Sequence, residues 1–455
     1  MQSPDWASDA FFYHIYPLGL CGAPRRNDFS QPPVARLDKI YGWLDHIQNL
    51  GVNALYIGPL FESSAHGYDT RDYYQVDRRL GTNETLKALS NEMHSRGMRL
   101  VLDAVFNHVG RDFWAFNHLQ TYREGSEYAS WFYNVNFSRT SPRGDPFSYE
   151  GWAGHYDLVK LNLEHPHVRA HLFDAVTRWV EDFNIDGLRL DAADVISEDF
   201  LSALARHGKN LREDFWLMGE IVHGDYLRLA NPERLDSVTN YALYKALHSA
   251  HNDRNYFELA HSLDRMFGPG GIYRGLHLYN FVDNHDVDRI ASILKDPVHL
   301  YPLTVLLFTI PGIPSIYYGS EWGQPGKRTR SSDEMLRPAL DIPAGNAMPH
   351  ADLARAIARL AVLREQFPAL RYGEYQNLFI APQQMAFLRE HPMGSVVVVA
   401  NAAASSVPVS LRMPVQTGRL VDRLNPGEEF PILQGKTTID PLPGNWGRVM
   451  QLIPD

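Results

Sequence analysis

Four short stretches of the chain each carry a carboxylate, and three of the four add a histidine or an arginine. They are Asp103-Ala-Val-Phe-Asn107-His108, Gly187-Leu-Arg189-Leu-Asp191, Met218-Gly219-Glu220 and Asp283-Asn284-His285-Asp286. Arg189 and Asp191 are two residues apart, so on a strand they project to one face while Leu188 and Leu190 face the other way. Three carboxylates and a guanidinium gathered at one mouth suit cleavage of an acetal, where a positive oxocarbenium-like centre develops and the leaving oxygen needs a proton. In retaining glycosidases one carboxylate is the nucleophile, and a second, about 5–5.5 Å away, serves as acid and then as base. Asp191 and Glu220 fit these roles. Arg189 is expected to keep Asp191 ionised by a charge-assisted contact, and Glu220, crowded by other carboxylates, is expected to hold the proton. Asp286 would grip ring hydroxyls and favour a distorted sugar, and His108 and His285 would donate to hydroxyls near the reacting carbon.

These stretches must be brought together by the fold. Short apolar runs alternate with amphipathic ones through the first 370 residues or so. Strands are expected at 11–16, 54–57, 99–103, 187–190, 215–219, 237–240, 276–281 and 315–317, with helices at 36–50, 84–96, 168–183, 200–207, 241–251, 256–266, 301–309 and 353–365. Eight strands with intervening helices predict a (β/α)8 TIM barrel, whose active site lies at the C-terminal ends of its strands, where all four stretches fall. From about 109 to 165 the periodicity gives way to a segment rich in Trp, Tyr, Asn, Gly and Pro. A structureless loop of that length does not fit a compact domain, so an irregular domain inserted after strand three is expected. Beyond Phe367-Pro368, runs such as QMAFLRE, SVVVVAN, VPVSL, GRLVD, KTTID and RVMQLI predict a C-terminal antiparallel β-sandwich. The expected division is 1–108 with 166–368 for the barrel, 109–165 for the insertion and 369–455 for the sandwich.

Composition sets the outer limits. The 455 residues are 44% hydrophobic and 21% charged, as in an ordinary soluble globular protein, and the net charge of −10 offers no basic surplus to a nucleic-acid backbone. A single cysteine, Cys21, rules out an intrachain disulfide. The opening residues lack the basic and apolar regions of a signal peptide, and Leu303 to Ile316, the best apolar run, is too short to span a bilayer. A cytoplasmic protein with no membrane partner is expected.

The blocks DAVFNH, GLRLDAADV, GEI and FVDNHD resemble, in order and spacing, the four signature blocks of glycoside hydrolase family 13, the α-amylase family. By that resemblance Asp191 matches the nucleophile, Glu220 the general acid/base and Asp286 the transition-state stabiliser. Asp103, His108, Arg189 and His285 match residues supporting the subsite of the cleaved sugar, and Tyr68, in Gly67-Tyr68-Asp-Thr-Arg-Asp72-Tyr73, matches a tyrosine that stacks on that sugar. Lys160-Leu-Asn162 and GEIVHGD look most like the cyclomaltodextrinase, neopullulanase and maltogenic amylase group, without the N-terminal domain usual there, since strand one falls at about Phe11. The resemblance implies a retaining hydrolase of α-1,4 and, as an open question, α-1,6 bonds of maltooligosaccharides, with cyclic and branched cyclic ones as candidates. An α-amylase on linear starch, a transglycosylase or sugar isomerase, and a non-catalytic carbohydrate-binding protein are the alternatives.

Trp131, Trp152 and Trp322 are candidates to line sugar subsites, with packing an equal alternative for each. Asn107 matches a position that binds calcium in many family members. The insertion shows no obvious cluster of acids at ligand spacing, so a side-chain hydrogen bond is the expected role, no cofactor is required, and calcium stays open. A homodimer also stays open.

Overall fold

The computed structural model describes residues 4–330 and 332–455. The first three residues of the stretch assigned to the barrel, and position 331, lie outside them. Eight parallel strands form the barrel: β1 Phe12–Ile15, β2 Ala54–Ile57, β3 Arg99–Ala104, β4 Gly187–Leu190, β5 Trp216–Gly219, β6 Ser237–Val238, β7 Tyr279–Asn280 and β8 Ile313–Tyr317. Their order is β6-β5-β4-β3-β2-β1-β8-β7, and a parallel bridge between Thr239 and Tyr279 closes the ring. These strands are buried on both faces, which is why they read as short apolar runs. Phe12, Ala54, Tyr56, Val101, Trp216, Met218, Tyr279 and Ile313 point inward and form one cluster. Their neighbours Tyr13, Leu55, Leu100, Leu188 and Leu217 pack outward with the helices. Phe12 stacks on Trp216 at 5.2 Å, filling the interior with rings.

Strands β6 and β7 are shorter than the stretches expected: Asn240 caps the helix that follows β6, its side chain accepting from the Leu243 N–H, and Leu276, before β7, is tied into a turn by its N–H bond to the Tyr273 carbonyl. The 36–50 segment divides into a 3-10 turn, Arg36–Ile40, and a helix, Tyr41–Asn49. The insertion is more regular than its sequence suggests. It holds a helix, Trp114–Tyr122, and a three-stranded sheet of His108–Gly110, His155–Lys160 and Gly151–Trp152. After β2 a hairpin, Phe61–Ser63 with Thr70–Val76, carries Tyr68 in its turn. Gly67 there has φ +89°, and a Cβ would meet Pro59 Cγ at 2.5 Å, so only glycine makes that turn.

The C-terminal part is an eight-stranded antiparallel sheet: β9 Glu374–Ile380, β10 Gln384–Glu390, β11 Ser395–Asn401, β12 Val407–Arg412, β13 Thr417–Asp422, β14 Glu429–Leu433, β15 Lys436–Leu442 and β16 Trp446–Pro454. Ala386, Val397, Val409, Leu420, Ile432, Ile439 and Met450, from seven of the strands, share one apolar cluster, so the sheet folds over on itself as a sandwich. The intervening Val396, Val398 and Ala400 of β11 face the barrel. Strands β9 and β14 escape the sequence reading; β14 contains Pro431, which argues against a strand in isolation. Among the described residues no helix is long and apolar enough to cross a membrane.

Arg389 fastens the sandwich to the barrel. Fully buried, it donates to the carbonyls of Thr309 at 2.6 Å, Leu370 at 3.1 Å and Gly373 at 2.9 Å, at the C-terminal ends of the Leu300–Thr309 and Pro368–Tyr372 helices. Those ends carry partial negative charge that offsets the guanidinium. Arg389→Met is expected to destabilise the protein by about 3 kcal/mol or more, since it strands buried carbonyls. A denaturant melt checks this, and a loss below about 1 kcal/mol contradicts the fastening role.

Candidate active site

The register of the barrel strands assembles the site. Asp103 on β3 lies level with Arg189 on β4, and Leu190 lies level with Gly219 on β5, so Asp191 and Glu220 emerge side by side one residue later. Arg189 joins all three acids. Its Nη1 donates to Asp103 Oδ1 at 2.9 Å and to Asp191 Oδ1 at 3.0 Å, and its Nη2 lies 2.8 Å from Glu220 Oε2. One guanidinium thus holds Asp191 and Glu220 beside each other. Asp103 Oδ2 also accepts from the hydroxyls of Tyr56 at 2.8 Å and Tyr68 at 2.9 Å, which fixes it as the anchor of Arg189. Ala192, at φ +46°, turns the chain so that its N–H donates to Glu220 Oε2 at 3.2 Å. The other oxygen, Oε1, accepts from the Tyr241 hydroxyl at 3.3 Å.

Asp286 belongs to a second charge centre. Its Oδ2 lies 2.8 Å from His285 Nε2, and its Oδ1 accepts from Arg337 Nη2 at 2.9 Å. Arg337 also donates to the His285 carbonyl at 2.9 Å and lies over the Tyr16 ring at 4.7 Å. Gly19 packs directly against it; a Cβ there would collide with the Arg337 carbonyl. The Tyr68 ring lies parallel to His285 at 5.3 Å, and its hydroxyl contacts His285 Nε2. His108 Nε2 sits 3.9 Å from Asp191 Oδ2.

The two centres differ electrostatically. Burial pushes the Asp191 carboxyl well above the usual carboxylate range, against the pull of Arg189 and with the push of Glu220, Asp103 and Asp286. Burial also acts on Asp286, but His285, Arg337 and Arg189 outweigh it and hold that carboxyl well below the range. Burial pushes His108 down to about 3, so its ring is neutral at ordinary pH. The contact with Arg189 expected to keep Asp191 ionised is present, and burial among carboxylates works against it. If Asp191 must be ionised to react, kcat/KM should fall on acidification with a midpoint above the ~3.9 of an ordinary aspartate. A pH–rate profile checks this, and an acid limb centred at or below about 4 contradicts it.

Of the three tryptophans, only Trp152 lies beside the site, its ring 5.5 Å from His108. Trp322 is 0% exposed, stacked on His46 at 4.7 Å and edge-on to Trp43 at 5.7 Å, so no sugar reaches its faces. Trp131 is buried in the insertion against Trp114, Tyr128 and His171. Asn107 donates to His108 Nδ1 at 3.2 Å. Among the described residues no three His, Cys, Asp or Glu side chains are grouped to hold a metal ion. Sequence reasoning missed Tyr16, Tyr56, Tyr241 and Arg337. Tyr16, Tyr56 and Tyr241 lie in or just beyond barrel strands, a position that could have flagged them; Arg337 sits in a stretch without periodicity, 51 residues from its partner Asp286.

The sequence profile of the alpha amylase catalytic domain matches residues 34–355. A cyclomaltodextrinase from a Bacillus species is 32% identical over 419 residues, 88% of this chain and 74% of that protein. A solved cyclomaltodextrinase structure superposes with a TM-score of 0.86 at 28% identity, covering 99% of this chain and 79% of the other. The cyclic α-maltosyl-(1→6)-maltose hydrolase of Arthrobacter globiformis, solved with that sugar, gives a TM-score of 0.78 at 29% identity, over 90% of this chain and 94% of the other. With its barrel, insertion and sandwich, the chain belongs to the α-amylase family, glycoside hydrolase family 13, and is a glycoside hydrolase.

Proposed function

We propose that this hydrolase cleaves α-1,4-glucosidic bonds of maltooligosaccharides, cyclic and branched cyclic ones included, with retention of the anomeric configuration. The observation that carries the reading is the single guanidinium of Arg189 gripping both Asp191 and Glu220, with Asp286 on a separate centre. In the first step Asp191 attacks the anomeric carbon while Glu220 protonates the departing oxygen, giving a glycosyl ester. In the second, Glu220 takes a proton from water as that water attacks the same carbon, and Asp191 leaves as carboxylate. Asp286, kept anionic by His285 and Arg337, binds hydroxyls of the reacting sugar and favours its distorted ring. The buried Nε2 of His108, without a hydrogen-bond partner among the described residues, suits a hydroxyl of that sugar. Tyr68 supplies an aromatic surface and Trp152 a flanking one. The cyclic substrates rest on the similarity to cyclomaltodextrinases and to the cyclic α-maltosyl-(1→6)-maltose hydrolase.

The test compares initial rates on cyclomaltodextrins, linear maltooligosaccharides, pullulan and soluble starch, with product anomers followed by proton NMR before mutarotation. Cyclic and short substrates are expected to react faster than starch and to give α-products. Starch cleaved fastest to mixed oligosaccharides replaces this reading with an α-amylase, and longer products from one donor replace it with a transglycosylase. Initial β-products overturn the double displacement.

A further inference from the structure

A second cleft, of about 250 Å³, lies away from the four carboxylates, between the Phe61–Ser63/Thr70–Val76 hairpin and the start of the Trp114–Tyr122 helix. Trp114 opens onto it and is 40% exposed, unusual for so large an apolar ring. Tyr128, Trp131 and His171 meet that indole edge to face at 4.9, 5.3 and 5.7 Å, which fixes its orientation. Around it stand Arg71, Asp72, Gln75, Asp112 and Asn117, side chains with the paired donors and acceptors that match neighbouring hydroxyls.

Several of these groups are held in place before any ligand arrives. Arg71 lies over the Phe29 ring at 3.9 Å, and its closest carboxylate, the buried Glu62, is 3.8 Å away, beyond hydrogen-bond reach. Asp72 Oδ1 accepts from the Tyr74 N–H at 2.7 Å, and Asp112 Oδ2 from the Ser64 hydroxyl at 2.6 Å. Gln75 is exposed on the same wall. With Glu62, Asp72 and Asp112 set against Arg71 and Arg78, the cleft has none of the positive surplus that a phosphate ligand would need. An exposed indole framed by amides, held carboxylates and a guanidinium instead suits the apolar face and hydroxyl rim of a pyranose.

From this geometry we propose that the Trp114 cleft is a second oligosaccharide-binding site, taking one or two sugar units of an α-glucan. The choice of α-glucan rests on the function proposed above. The hairpin that carries Tyr68 in its turn also carries Arg71, Asp72 and Gln75, so one element serves both sites.

The test is calorimetric titration of the full-length Glu220→Gln protein, which should turn its ligand over too slowly to deplete it during the titration, with maltoheptaose. Two molecules are expected per chain. Trp114→Ala should bind one, with the lost site weakened at least roughly tenfold and the remaining one within about twofold of the parent. Asn117→Arg, which places a bulky cation in the cleft from an exposed position, should do the same and decides the matter if Trp114→Ala fails to fold. A parent that binds one molecule, or an Asn117→Arg protein that keeps two, overturns the site and leaves the function proposed above standing. A parent that binds none overturns the α-glucan reading and this site with it.

Discussion

Replacing Glu220 by Gln is expected to lower kcat on maltooligosaccharides by roughly 10³- to 10⁴-fold, the range for removing a general acid, while the melting transition stays near that of the parent. The amide has nearly the same shape. It can still accept from the Ala192 N–H and contact the Tyr241 hydroxyl, and Arg189 keeps Asp103 and Asp191 as partners. An α-glycosyl fluoride separates the acid role from a structural one, because fluoride departs without a proton. Glu220→Gln should form the glycosyl ester from that donor at close to the parent rate. Asp191→Asn should lose roughly 10⁴-fold or more on both substrates, since no leaving group replaces a missing nucleophile. If Glu220→Gln is equally slow on both, the assignment of Glu220 as acid fails.

Arg189→Met should have the largest effect on stability. The guanidinium is 2% exposed and is shared by three carboxylates. Removing it leaves those acids crowded together in a buried site, which costs about 3–5 kcal/mol for a broken buried pair. Activity should vanish with it. Arg189→Lys keeps the charge, but one ammonium cannot bridge Asp103, Asp191 and Glu220 as the forked guanidinium does, so only part of the stability should return. Thermal melts of the two variants check this. An Arg189→Met protein that melts with the parent would mean the acids need no shared cation.

The barrel was legible because each strand is buried on both faces, which leaves little in it but apolar residues. Ala54–Ile57 and Gly187–Leu190 have the bounds their runs predict, and so do Gln384–Glu390 and Ser395–Asn401 in the sandwich. The helix Trp114–Tyr122 was hidden because its aromatic residues serve packing within the insertion and the cleft surface together. At the site, the acids at strand ends could be picked out because the barrel dictates where strand ends meet. Arg337 could not, since it reaches Asp286 from a part of the chain 51 residues away, through a contact that no local pattern encodes. For Trp322 the sequence left packing and a subsite as alternatives, and only the fold decides, by turning it back against Trp43, His46 and Gly345.

The central claim is that Asp191 becomes covalently bound to sugar while Glu220 handles the proton. The most direct measurement is peptide mapping by mass spectrometry of the Glu220→Gln protein quenched during reaction with α-maltosyl fluoride. The account predicts one maltosyl ester per chain, on the peptide and side chain of Asp191. An ester on Asp286, or on any other residue, would contradict it.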